Sequence, residues 1–154
     1  MYNYRGDEKM YRELEESSLV SLAEAYMAYY NAEGDSWSYE QAFKRLNKEM
    51  NKEDSFFLGV YEENELAGFL MGDINEYPGI KVFFLEEILV FKEYQNLGYG
   101  TGLMTELDKR LKEKGVERIN LMTTESEKHQ NFYRKLGFLK HDFLINMKKE
   151  VDAK

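Results

Sequence analysis

Apolar residues recur at helical spacing between Leu14 and Tyr30, where Leu19, Leu22, Ala23, Tyr26, Met27 and Tyr30 share one side of a 3.6-residue repeat. The segment 31–35 breaks that pattern. Ser38 followed by Gln41 has the spacing of a capping box and predicts a helix to about residue 50. The period then changes. Residues 55–61 and 65–73 are β-prone runs joined by a polar turn at 62–64, which predicts a hairpin. Pro78 and Gly79 mark a second turn, and a long strand is expected over 80–91. Helical spacing returns at Leu103, Leu107 and Leu111, in a helix expected over 98–114 with Gly115 just past its end. A strand is expected at 116–122, a helix at 126–136, and one or two strands over 138–149. A short leading strand is expected at 2–6. No repeat, low-complexity run or linker divides the chain, so residues 1–154 are read as one α+β domain.

The junction between the long strand and the third helix carries the strongest chemical signal. Ile88 to Phe91 is an apolar run with strand character, and Gly98, Gly100 and Gly102 follow at alternate positions. A strand that turns through glycines into a helix offers bare N–H groups at the positive end of a helix dipole. That is a site for phosphate or pyrophosphate, and a side chain there would hold the ligand off the backbone. It is not a P-loop, because Leu103 and Met104 stand where Lys and Ser or Thr are required. It is not a Rossmann turn, because the glycines run G-x-G-x-G and sit mid-chain.

Two segments together carry a family resemblance. Gln95 to Gly100 reads Q-x-x-G-x-G, and residues 131–138 read N-F-Y-R-K-L-G-F, with Gly137 placed to end a helix. The first resembles the acetyl-CoA pyrophosphate loop of the GNAT superfamily of N-acetyltransferases. The second resembles the F-Y-x-K-L-G-F signature near the end of that fold. The resemblance covers roughly residues 55 to 149, and the N-terminal helices more loosely. It implies a three-layer α/β arrangement with a central mixed sheet flanked by helices, and acetyl-CoA as cosubstrate.

Composition narrows the partners. The net charge of −8 argues against general nucleic-acid binding and suits a cationic small molecule. No apolar run is long enough for a membrane span, and no signal peptide is read at the start. The sequence contains no cysteine, which removes disulfides, thiolate metal sites and a cysteine nucleophile, and fits a cytoplasmic setting. His129 and His141 alone do not make a metal cluster, and no metal is expected.

The resemblance also implies roles. Gln95, Asn96, Leu97, Gly98, Tyr99, Gly100 and Thr101 would hold the pyrophosphate, with the Thr101 hydroxyl placed to cap the helix or touch a phosphate. The backbone of Ile88, Leu89 and Val90 would pair with the pantetheine arm. Ser126 stands where many relatives carry an asparagine that bonds this arm. Tyr133 matches the tyrosine that protonates the departing thiolate; its phenol has an ordinary pKa of about 10 and can donate at neutral pH. A carboxylate base is expected on the strand before the loop. Glu86 and Glu87 fall on opposite faces there unless a bulge changes the phase, and alternation does not choose between them. An acidic residue at the Glu87 position in relatives implies Glu87, with Glu125 a weaker candidate. The stretch from Tyr29 to Trp37 is aromatic and acidic, and with residues 77–81 is expected to form the acceptor side. It resembles small bacterial acetyltransferases, some of them aminoglycoside-modifying. The expected function is acetyl transfer to a primary amine of a small cationic acceptor such as a polyamine or aminoglycoside, in a direct ternary complex. The alternatives are acetylation of a protein N-terminus or lysine, and a non-catalytic acyl-CoA-binding module. A homodimer is compatible with the resemblance.

Overall fold

The computed structural model describes residues 10–152. The expected strand at 2–6 lies outside them. The chain forms two compact units, one ending at Met122 and one beginning at Thr123.

The first unit is built on a five-stranded sheet in sequential order: β1 (Tyr11–Glu13), β2 (Ser55–Glu62), β3 (Glu65–Tyr77), β4 (Ile80–Val90) and β5 (Arg118–Leu121). The first four pair antiparallel, and β5 runs parallel to β4, so the sheet is mixed. The β2–β3 turn holds Glu63 and Asn64 at φ 49° and 75°, the left-handed geometry that suits a tight hairpin. The unit's helices are α1 (Leu19–Ala32), α2 (Tyr39–Met50) and α3 (Tyr99–Glu113). Ser38 and Gln41 form the full capping box at the start of α2. The first helix begins later than its pattern suggested: Glu16–Ser18 is a 3-10 turn, and Leu14 packs into the core from outside the helix.

Two cores result from strand alternation. Under α1 and α2, Leu19, Leu22, Ala23, Tyr26, Ala42 and Leu46 meet Phe57, Phe69, Met71, Leu89 and Phe91. On the opposite face, α3 buries Leu103, Met104, Leu107 and Leu111 against β2, β3 and β4. Phe56 and Phe83 meet edge-on there, with the Lys114 ammonium over the Phe56 ring. The register between β3 and β4 shifts once: Met71 opposes Glu87 and Gly72 opposes Leu85, leaving Glu86 as the extra residue of a bulge.

The second unit holds α4 (Glu127–Lys135) and the chain that follows it. Gly137 adopts φ 92° and ends the helix as expected, and its aromatic residues pack locally, Tyr133 against both Phe132 and Phe138. The strands expected over 138–149 are not formed. The segment has β-prone composition, but no described strand pairs with it. Leu139, Phe143, Ile145 and Met147 stay exposed, so neither ladder hydrogen bonds nor burial stabilise an extended form.

Candidate active site

The strand turns into the helix at the glycines as the sequence suggested, but Gly98 and Gly102 are there for different reasons. After β4 a 3-10 turn at Lys92–Tyr94 leads to Asn96 at φ 62° and Gly98 at φ 89°. Gly98 is the N-cap of α3, and its left-handed backbone is what requires glycine. The first main-chain bond into the helix is the Gly102 N–H to the Gly98 carbonyl, 3.0 Å. The N–H groups of Tyr99, Gly100 and Thr101 precede it and have no intrahelical acceptor. Gly102 answers to packing instead: a methyl there would collide with the Tyr11 hydroxyl of β1.

The side chains of this loop hold it in place. Gln95 donates its amide to the Val90 carbonyl at 3.0 Å and to the Tyr29 hydroxyl at 3.1 Å, tying the loop to β4 and α1. Tyr99 donates to the Glu62 carboxylate and stands edge-on to Tyr94; burial and that hydrogen bond push its phenol up to about 12. Leu97 is exposed.

The strand leading into the turn has a free edge. β5 pairs with β4 only from Val82 to Leu85. Among the described residues, no strand continues along that side of β4. The Phe91 N–H bonds to Ala67 of β3, so by alternation the main-chain groups of Val90 and Ile88 point the other way, and those of Leu89 towards β3. The Val90 carbonyl is taken by Gln95. The Ile88 groups and the Val90 N–H face the open edge.

The bulge settles the phase of the two carboxylates in an unexpected way. Strand alternation alone would separate them, yet Glu86 and Glu87 line the same cleft, of about 360 Å³, with Tyr26, Tyr30, Asp35, Trp37 and Arg45. Glu87 is the more enclosed, with a side chain 13% exposed against 27% for Glu86. Its Oε1 accepts from Tyr26 at 3.0 Å and from Arg45 Nη2 at 3.1 Å, and its Oε2 accepts from Tyr30. Arg45 also donates through Nε to the Tyr26 hydroxyl at 3.0 Å and stands 3.7 Å from Glu86. Burial and the neighbouring Glu87 charge raise Tyr26 far above the ordinary phenol range; burial and the Glu87 hydrogen bond do the same for Tyr30. Burial works against the charge on Arg45, but its bonds to Tyr26 and Glu87 outweigh that and leave it firmly protonated. The wall of the cleft is fixed by Asn31, whose side chain bonds the Trp37 carbonyl at 2.9 Å and the Trp37 N–H at 2.7 Å. Trp37 in turn stands edge-on to Tyr26.

Arg45 and Tyr26 are the neighbours of Glu87 that the sequence reading missed, whereas Tyr30 lies in the Tyr29–Trp37 stretch expected on the acceptor side. One signal was present for Arg45. It adjoins Ala42, Leu46 and Glu49 on the buried stripe of α2, where an unpaired charge is costly. Tyr26, four residues before Tyr30 on α1, read as ordinary core.

In the second unit, Tyr133 is half-buried on α4, and burial raises its phenol. Ser126 is the N-cap of α4 but its side chain makes no capping bond. Glu125 contributes its carbonyl to the Gln130 amide. Among the described residues, no group of His, Asp or Glu is placed to hold a metal ion, and no helix is long and apolar enough to cross a membrane.

Comparison with known proteins places this architecture. The protein YxbD of Bacillus subtilis (strain 168), itself uncharacterized, is 28% identical over 95 residues, which span 57% of this chain and 60% of that relative's length. A solved structure described as a "probable acetyltransferase" shares the fold at a TM-score of 0.78 and 19% identity, covering 94% of this chain and 99% of that one. An aminoglycoside acetyltransferase from an uncultured soil metagenomic sample, solved with sisomicin, shares it at 0.72 and 17%, covering 96% and 100%. The model of the acetyltransferase (GNAT) family matches residues 19–138, from the start of α1 to the residue after Gly137. The chain belongs to the GNAT acetyltransferase family.

Proposed function

We infer that this protein is an acetyl-CoA-dependent N-acetyltransferase whose acceptor is a primary amine on a small polycation of the polyamine or aminoglycoside class. The observation that carries the reading is the open edge of β4 running directly into a turn of unbonded N–H groups at the start of α3. Acetyl-CoA supplies a thioester; the residues supply position and protons. The N–H groups of Tyr99, Gly100 and Thr101 take the pyrophosphate at the helix N-terminus. The Ile88 groups and the Val90 N–H pair with the amides of the pantetheine arm. Glu87, with Glu86 beside it, accepts the proton of the ammonium, directly or through water, so that the nitrogen attacks as a free amine. As the new C–N bond forms, the C–S bond breaks, the Tyr133 phenol protonates the leaving thiolate, and the second proton lost by the acylated nitrogen returns to the Tyr133 phenolate through water. Transfer is direct, because the sequence holds no cysteine to carry the acetyl group. The same lack of cysteine fits a cytoplasmic setting. The acidic, aromatic cleft supports a cationic acceptor, and the sisomicin-bound relative supports amino-sugars as one class to test.

The test is release of free thiol from acetyl-CoA against polyamines, aminoglycosides and peptides. Small polycations are expected to be turned over fastest; activity confined to peptides overturns the acceptor class. Glu87→Gln is expected to lower the rate, with the loss shrinking at high pH where free amine is abundant. Tyr133→Phe is expected to lower kcat by about 10²-fold, the scale of one proton transfer, while acetyl-CoA binding stays near normal. Parental kcat in Tyr133→Phe assigns the phenol to packing.

A further inference from the structure

The cleft beside β4 already contains a cation. Arg45 of α2 reaches across to the two carboxylates that the bulge brings together, 3.1 Å from Glu87 and 3.7 Å from Glu86. Without it, two adjacent, poorly solvated carboxylates would repel each other. Tyr26, Tyr30 and Trp37 line the same space, an aromatic setting that suits an ammonium as well as a guanidinium. Three carboxylates line the cleft, those of Asp35, Glu86 and Glu87, against the single positive charge of Arg45. Among the described residues Asp35 has no ion pair. The Arg45 side chain is 31% exposed, so it has a way out towards solvent.

Resting on the acceptor class inferred above, we propose that Arg45 is a resident substitute for the substrate's cation: a cationic acceptor binds by displacing its guanidinium from Glu87 and Glu86, so recognition is an exchange of one cation for another. Arg45 is then a positioning residue. In the free protein it keeps Glu87 in place through Tyr26 and screens the carboxylates from each other. On binding it yields Glu87 to the acceptor's ammonium, whose proton Glu87 can then take. Exchange also rejects neutral amines, because an uncharged ligand cannot replace the charge it removes. The occupied state acts as a tax on affinity, since the competent population is only the fraction in which Arg45 has swung away.

The tax gives the proposal a sign that a structural role lacks. Arg45→Gln keeps a donor for Tyr26 and removes the charge. Its Kd for spermidine, by calorimetry without acetyl-CoA, is expected to fall about tenfold relative to the parent, by removal of the tax. Unchanged or weaker binding in a variant whose melting shows it folded overturns the proposal. If Arg45→Gln does not fold, the parent decides through the Arg45 Nε–H resonance. Saturating spermidine is expected to shift it and speed its exchange with water, and an unmoved signal with spermidine bound overturns the exchange. Spermidine binding to the parent without a gain in the variant defeats this inference alone. Binding to neither protein defeats it together with the acceptor class, while stabilisation by acetyl-CoA stands as a separate check on the enzyme reading.

Discussion

The carboxylate cleft and the glycine turn lie at successive stretches of one chain, yet they are held by opposite means. The cleft is made of side chains from three elements. Glu87 of β4 is fixed by Tyr26 and Tyr30 of α1 and by Arg45 of α2, with partners 42 to 61 residues away in sequence. The turn is made of backbone. Asn96 and Gly98 set its path with left-handed φ values, and the groups it presents are main-chain N–H. In the cleft, both oxygens of Glu87 already accept bonds from neighbouring side chains. A site made of helix-start N–H groups is unsatisfied until its ligand arrives.

The largest effect should come from charge placed in the turn. Acetyl-CoA at a hundred times its Kd is expected to stabilise the parent by about 2.7 kcal/mol. Gly100→Glu is expected to remove that stabilisation, because a carboxylate would fill the approach and repel the pyrophosphate. The spermidine affinity of the cleft should survive. Thermal melts with and without acetyl-CoA measure it, and equal stabilisation of mutant and parent would take the pyrophosphate away from this turn.

A smaller effect separates the glycines from one another. Gly102→Ala gains about 1 kcal/mol of helix propensity and loses about 1–3 kcal/mol to overpacking against Tyr11. The net change in urea unfolding is expected to be destabilising. In a Tyr11→Phe background the nearest remaining atom is the ring carbon at 3.5 Å, ordinary contact, and the same substitution is expected to become neutral or stabilising. An identical cost in both backgrounds would show that the Tyr11 hydroxyl is not what excludes a side chain at 102.

The smallest effect concerns the cleft at alkaline pH. Unfolded phenols ionise near their ordinary pKa of about 10, whereas burial and Glu87 keep Tyr26 and Tyr30 protonated well above it in the folded protein. The folded state therefore binds more protons above pH 10, and stability is full below that pH and falls as pH rises. A Tyr26→Phe, Tyr30→Phe double variant is expected to show a flatter decline in urea midpoint from pH 9 to 11. An unchanged slope would mean that the cluster opens before it titrates.

What the sequence disclosed follows the same division. Local features were legible: the Ser38–Gln41 capping box, the glycine turn, the hairpin at Glu63 and Asn64, the helix end at Gly137. Each depends on residues within a few positions of one another. The carboxylate pair was found, but its phase was not. A bulge is a property of register between two strands, and neither strand alone encodes it. Arg45 was missed because its partners lie in other elements, Tyr26 19 residues back and Glu87 42 residues on. The apolar residues of 138–149 signalled strand, but a strand also requires a partner edge, which composition does not supply.

The bulge at Glu86 makes one strand serve two interiors. Phe83 packs beside Phe56 on the α3 face, whereas Leu89 and Phe91 pack under α1 and α2. The extra residue is where the allegiance switches, and a side chain at the switch owes nothing to either interior. Position 86 can therefore change its chemistry without disturbing the packing on either side, while loss of the residue itself would turn the rest of β4 inside out. Descendants of this chain are free to vary by substitution there, but not by deletion.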